Sequence, residues 1–333
     1  MKKSRSPLPN WGEGGGEGSI EAIKKHITTM LVRHSDAPGL DANRIILHVL
    51  AQRDASYLLA HGEEIISEQD AQKILEMAEA RKTGMPLAYV LGEADFFGRT
   101  FAVTQDVLIP RPDTEALIEK ALEYIKVRHA GLRPGIHVDS GSRAGMTEKK
   151  EIVIADLCTG SGIIAITLAL ELQDSAYNLQ HTTYDIVATD ISDKALAVAK
   201  QNAKQHGVAD RIEFLQGDML EPIKNKKIDL LVSNPPYVPS EELASIYLSL
   251  HRERTEERVS DRANDETLIP SFSLSREKVP TTQETRGLLF EPQIALDGGE
   301  DGLKFVNQIK EYAQKNNTLA IIETVGGKIA TFP

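Results

Sequence analysis

The sequence predicts an α/β protein, a doubly wound and mostly parallel sheet preceded by a small helical domain. Three observations carry this. From residue 151 onward, short apolar runs alternate with helical stretches. The first of those runs ends in a glycine-rich turn that leads into a helix. Before them, from 19 to 84, apolar residues recur at helical spacing. Strands that alternate with helices imply right-handed crossovers, and hence parallel neighbours.

Residues 1–18 read as a disordered tail, because Trp11 followed by a run of glycine and glutamate offers too little apolar surface to offset ordering. Ser19 opens a helix with Ile20, Ile23, Ile27, Met30 and Leu31 on one face. A second helix is expected over 42–51, with Ile45, Ile46, Val49 and Leu50 inward, a short third over 54–61, and a fourth over 67–83 with Ala71, Ile74, Leu75 and Ala78. Together they form a helical domain over 19–84. Residues 85–112 read as a linker containing a β-hairpin, with Phe101 and Val103 alternating onto a buried face. Arg111 stands between two prolines, which fix its direction, and Asp113 or Thr114 is placed to cap a helix over 114–127.

The main domain spans 113–333. Strands are expected at 152–157, 185–190, 212–218, 228–233 and 318–323, with helices at 163–172, 193–206 and 303–315. Two stretches break the pattern. Residues 130–150 read as a surface loop, and residues 251–288, charged and aperiodic, as a mobile insertion.

Composition narrows the function. A formal net charge of −11 argues against a protein held non-specifically on a phosphate backbone. The single cysteine, Cys158, excludes an internal disulfide and a multi-cysteine zinc site, so no metal is expected and a reducing cytoplasm fits. No apolar run approaches the roughly 20 residues of a bilayer span. Lys2, Lys3 and Arg5 have no apolar stretch behind them, so no secretory signal is expected.

The chemistry lies at the carboxyl ends of consecutive strands, where open parallel sheets bind ligands. Asp156-Leu-Cys158-Thr159-Gly160-Ser161-Gly162 follows the first strand; its glycines permit a tight turn and close approach of backbone to ligand. Alone it is equally a dinucleotide loop. Asp190 ends the second strand, where it could accept from two ribose hydroxyls or cap the next helix with Ser192 and Asp193. Asp218, with Met219 beside it, ends the third and could accept from an adenine amino group or serve as a turn aspartate. Asn234-Pro235-Pro236-Tyr237 ends the fourth. The prolines cannot extend the strand, so the Asn234 amide is held in a rigid loop with a flat ring three residues on.

Together these motifs resemble the class I, Rossmann-like S-adenosylmethionine-dependent methyltransferases that modify a planar nitrogen. Much of the chain resembles one branch, the protein-(glutamine-N5) methyltransferases of peptide chain release factors (HemK/PrmC type). The likeness rests on Pro86-Leu-Ala-Tyr-Val-Leu-Gly92, Phe96-Phe-Gly98, Val107-Leu-Ile-Pro-Arg-Pro-Asp-Thr-Glu115, the glycine loop, Ser233-Asn-Pro-Pro-Tyr237, and Phe290-Glu-Pro-Gln-Ile-Ala-Leu-Asp-Gly-Gly299 with Asp301-Gly-Leu303. It implies the following expectations. Residues 158–162, Asp190, Asp218, Met219 and Asn234 bind S-adenosylmethionine. Asn234, Pro235 and Tyr237 carry catalysis. Asn234, Pro235, Pro236, Tyr237 and Arg111 hold the substrate, the glutamine of a Gly-Gly-Gln loop, while the helical domain grips the release factor. Neither a membrane nor direct nucleic-acid binding is expected. The resemblance also implies two further strands after 318–323. Residues 323–333 leave no room for them, so a bare edge on the fifth strand is expected, with reduced stability or a partner covering it.

Three other readings compete. A nucleic-acid amino-methyltransferase would stack a flipped base on Tyr237 and wants a basic groove. A nicotinamide oxidoreductase would use the same glycine loop, but Asp190 lies beyond the usual spacing of about 20 residues from it. An inactive relative would bind cofactor without methyl transfer.

Overall fold

The computed structural model describes residues 18–129, 150–173, 182–250 and 287–333. The expected tail, the surface loop at 130–150 and the insertion at 251–288 lie almost wholly outside these. The chain divides into two compact units, one ending at Gly92 and including Phe290, the other running from Glu93 and including Glu291–Pro333.

The first unit is helical. Helix α1 (Ile20–Leu31) begins where the Ser19 hydroxyl accepts from the Ala22 amide, and buries Ile20, Ile23, Ile27 and Leu31 along one stripe. Helix α2 is Pro38–Val49, α3 Ser56–Ala60, α4 Glu68–Lys82 and α5 Leu87–Leu91. Helix α2 starts four residues before the expected Ala42, since proline at a helix's first positions loses no hydrogen bond. Ile45, Ile46, Ile74 and Ala78 close the core with the α1 stripe. One ion pair lies within it. Arg81, 3% exposed, donates from Nε to Asp41 Oδ2 at 2.7 Å and from Nη1 to the Met85 carbonyl at 2.9 Å.

The second unit starts with a hairpin, β1 (Glu93–Phe96) and β2 (Arg99–Ala102). Its two-residue turn is Phe97 and Gly98, both at positive φ, as a tight hairpin demands. Phe96 and Phe101 enter the main core beside Leu117, Ile118 and Ala121 of α6 (Thr114–His129). The large sheet holds β3 (Lys150–Leu157), β4 (Thr182–Asp190), β5 (Ile212–Gln216), β6 (Leu230–Ser233), β7 (Leu319–Thr324) and β8 (Lys328–Phe332), in the order β5-β4-β3-β6-β7-β8. The first five are parallel, so the expected doubly wound α/β sheet is present. Helices α7 (Ile163–Glu171), α8 (Asp193–Gln205), α9 (240–250) and α10 (Lys304–Asn316) complete the unit.

Each strand sorts its side chains by the two-residue period. Ile154, Leu230, Val232 and Ile321 face α6 and α7; Ala155, Leu231, Ala320 and Ile322 face α10. Winding reverses between β3 and β6, which leaves a crevice above their carboxyl ends.

The expectation of a bare fifth strand is corrected. Lys328–Phe332 pairs antiparallel with Ala320–Thr324 and covers the β7 edge. Gly326 and Gly327, both at positive φ, reverse the chain within three residues, so the strand's outward N–H and C=O groups are paired.

Candidate active site

Three residues of the glycine loop, Cys158, Gly160 and Gly162, have φ of 57°, 55° and 83°. Their roles differ. Above Gly160 there is open space. Gly162 packs inward, and a Cβ there would lie 2.9 Å from Ile166 Cδ1 and 3.0 Å from Ala199 Cβ. Asp156 holds the turn from below. Its Oδ2 accepts from Thr159 Oγ1 at 2.6 Å and from the Ala165 amide at 3.2 Å, while Oδ1 is buried without a partner. Asn202, fully buried on α8, donates to the Ser161 carbonyl at 2.8 Å and also brackets Ala102 of β2.

Burial pushes the Asp156 carboxyl up to about 7, with the Asp190 charge adding to the effect and the Thr159 and Ala165 hydrogen bonds opposing it. The folded chain therefore keeps a proton here that the unfolded chain has released above about pH 4. Between those values the folded state binds more protons, so stability falls as pH rises towards 7. Asp156→Asn is expected to remove that slope, gaining on the order of a few kcal/mol over wild type at pH 8 relative to pH 5. Thermal melts of both proteins across this range check it; parallel curves would contradict it.

Asp190 binds backbone with both oxygens, Oδ2 to the Gly160 amide and Oδ1 to the Ser192 amide, each at 2.9 Å. Capping of α8 falls to Ser192, whose hydroxyl accepts from the Ala195 amide. Each Asp190 oxygen keeps a lone pair for a further donor. Burial raises this carboxyl above its usual range.

A cavity of about 390 Å³ lies over these strand ends, within the span of small-molecule sites, about 300–1,000 Å³. Of the residues singled out from sequence, Cys158, Thr159, Gly160, Ser161, Asp190, Asp218, Met219, Asn234, Pro236 and Arg111 line it. Gly162, Pro235 and Tyr237 do not. Met219, at φ 46°, sets its sulfur 3.5 Å from Cys158 Sγ. Ile191 and the segment from Pro292 to Ala295, unforeseen as a wall, also line it.

Beyond the end of β6, Asn234 Nδ2 donates to Thr114 Oγ1 at 3.1 Å, and Asn234 Oδ1 is buried without a partner. Thr114 Oγ1 donates to Glu323 Oε2 at 2.6 Å. The Tyr237 hydroxyl donates to Glu323 Oε1 at 3.1 Å. Burial, with Glu323 beside it, pushes the Tyr237 phenol up to about 12, so it stays protonated and can donate. Thr114 is thus no helix cap, because its hydroxyl is turned into the site. Neither Thr114 nor Glu323 stands out as a site residue in the sequence, although Glu323 shares the acidic strand end that marks Asp190. Arg111 donates to Glu291 Oε1 at 2.7 Å across 180 residues of sequence, and Glu291 is buried.

The segment 291–302 braces the Asn-Pro-Pro-Tyr loop. The Val238 amide donates to Leu296 O at 2.9 Å, the Gly298 amide to Val238 O at 2.8 Å, and Ser240 Oγ to Asp297 Oδ1 at 2.6 Å.

A doubly wound sheet whose reversal point joins a glycine loop, acidic strand ends and an Asn-Pro-Pro-Tyr turn defines an S-adenosylmethionine-dependent methyltransferase. Comparison with known proteins narrows the class. Residues 22–92 match the family described as PrmC N-terminal domain, and residues 125–250 the Methyltransferase small domain. The release factor glutamine methyltransferase of Nitratidesulfovibrio vulgaris (strain Hildenborough) is 40% identical over 71% of this chain and 68% of its own. That of Chlorobaculum tepidum is 34% identical over 70% of this chain and 72% of its own, and that of Bacillus subtilis 38% identical over 58% of each. The chain belongs to the release factor glutamine methyltransferase family.

Proposed function

We propose that this protein transfers a methyl group from S-adenosylmethionine to the side-chain amide nitrogen of a glutamine in a peptide chain release factor, the glutamine of its Gly-Gly-Gln loop. The observation that carries this reading is the orphaned, buried Asn234 Oδ1 on a residue that lines the cavity. A buried acceptor without a partner costs about 1–3 kcal/mol, a cost that a substrate N–H would cancel.

The cavity fits the cofactor in chemistry as well as size. Asp190, set in place by the Gly160 and Ser192 amides, suits ribose hydroxyls, Asp218 an adenine amino group, and residues 158–162 the methionine end. S-adenosylmethionine supplies an electrophilic methyl on a sulfonium. The chain's own residues do the rest. An amide nitrogen is a weak nucleophile, because its lone pair is delocalised into the carbonyl. Asn234 Oδ1 and the Pro235 carbonyl would accept its two N–H groups, fix the nitrogen, and favour the positive charge that develops on it. Tyr237, anchored by Glu323, would pack against the amide plane. The surplus N–H proton passes to water after transfer, so no strong base is required. Arg111, held by Glu291, would meet the substrate at the cavity's rim.

The helical unit would grip the release factor, and the reaction belongs to the cytoplasm, where that partner works. Among the described residues no helix is long and apolar enough to cross a membrane.

Asp190→Ala should weaken S-adenosylmethionine binding by about 10- to 150-fold, the worth of one charge-assisted hydrogen bond (about 1.5–3 kcal/mol). Calorimetry reads this directly. The reaction itself is tested by incubating a purified release factor with the protein and methyl-labelled cofactor. Label in the release factor supports the reading. Label in transfer RNA or DNA, with none in the release factor, would transfer it to nucleic-acid amines.

A further inference from the structure

We infer that Thr114 and Glu323 are positioning residues that fix which way round the Asn234 amide points, through a hydrogen-bond relay of set polarity. The inference rests on the proposed amide methylation and adds residues that no motif assigns.

The argument starts at the carboxylate. An ionised carboxylate only accepts hydrogen bonds. Glu323, 1% exposed at the end of β7, takes one on each oxygen, from Tyr237 and from Thr114. The contact with Thr114 is 2.6 Å, the short range of a charge-assisted bond. A threonine hydroxyl has one proton. With that proton committed to Glu323, Thr114 Oγ1 can only accept from its other neighbour. That neighbour, 3.1 Å away, is the Asn234 amide, which must therefore present Nδ2. Its oxygen is turned the other way, and Oδ1 is the atom left buried and unpartnered. The Thr114 backbone holds the relay in register, its amide donating to the Arg111 carbonyl at 3.1 Å at the start of α6.

Loss of the Glu323 charge reverses the logic. A neutral residue at 323 lets the Thr114 proton swing towards Asn234. The amide can then rotate and face a substrate N–H with its own N–H, two donors opposed. Glu323 meets the charges of Asp113 and Arg111 and the Tyr237 phenol. Burial dominates and raises its carboxyl above the usual glutamate range. The relay is intact above that raised value and is lost as pH falls through it.

The test compares Glu323→Gln, Thr114→Val and Thr114→Ser in the full-length protein. Glu323→Gln and Thr114→Val are expected to lower kcat on the order of tenfold to a hundredfold, with S-adenosylmethionine affinity unchanged. Thr114→Ser, which keeps the hydroxyl, should restore the rate. The double variant should be no worse than either single one, because both break one chain. A second readout needs no turnover. In protein labelled with 15N-asparagine, the Asn234 side-chain signal, assigned by its loss in Asn234→Ala, should titrate with pH in wild type and in Thr114→Ser. It should be pH-independent in Glu323→Gln and in Thr114→Val. A wild-type signal that does not titrate, or full kcat in Thr114→Val, overturns the relay. A wild type that titrates but methylates no release factor overturns the proposed reaction and leaves the relay standing.

Discussion

Asn234→Ala is expected to lower kcat for amide methylation by about 10²- to 10³-fold, the usual loss when one preorganised polar group aimed at developing charge is removed. The structure gives three reasons to place the loss in kcat. Asn234 is held on both sides, by the end of β6 before it and by Pro235 and Pro236 after it, so its side chain is preset before substrate arrives. Its Nδ2 is occupied by Thr114, which leaves Oδ1 for the substrate alone. The atom is also buried, so water cannot stand in for the missing acceptor without entering the site. Folding should be little affected, since an unpaired acceptor is removed along with its partnered donor. Steady-state kinetics beside a thermal melt would check this. A variant with wild-type kcat would remove Asn234 from the reaction.

Gly302→Ala is expected to cost about 2–4 kcal/mol of stability and to abolish most activity. Two penalties add there. Gly302 has φ of 73°, a conformation that costs a non-glycine residue about 1–2 kcal/mol. A Cβ would also collide with the Tyr237 carbonyl oxygen and come within 3.3 Å of Pro239. The backbone beneath the Asn-Pro-Pro-Tyr turn would have to move, and a shift of about 1 Å there costs about 10²-fold in rate. Gly207 separates the two penalties. It has φ of 72° with nothing within 4 Å of an added methyl, so Gly207→Ala should pay the backbone strain alone and keep its activity. Denaturant melts and rates for the two variants decide the point. Equal losses would show that close approach to Tyr237 contributes nothing.

Local signals in this chain are legible because local physics causes them. The unbroken apolar runs of β6 and β7, buried on both faces, the left-handed turn at Gly160 and Gly162, and the proline stop after Asn234 each follow from a few adjacent residues. What stays hidden depends on pairings far apart in sequence. Thr114 reads as a helix cap because the sequence near it offers only a helix start; the partners that claim its hydroxyl lie 120 and 209 residues away. Asn202 reads as one polar residue in a helix, yet it ties β2 to the glycine loop across 100 and 41 residues. Gly298 and Gly302 belong to a recognisable string, but it takes the approach of Tyr237 to both, the contact between the two glycines and the positive φ of Gly302 to explain why no side chain fits. Strand β8 escapes for a different reason. Its pattern is short and half-exposed, and the expectation of a two-stranded hairpin hides the single strand that Lys328–Phe332 forms.

The central claim is that Asn234 presents the glutamine nitrogen of a release factor to S-adenosylmethionine. The most direct measurement is peptide-mapping mass spectrometry of a release factor after incubation with this protein and the cofactor, beside Asn234→Ala. One added methyl on the Gly-Gly-Gln glutamine, present with wild type and absent with the variant, is the expected result. A methyl on another residue, or equal methylation by both proteins, would contradict it.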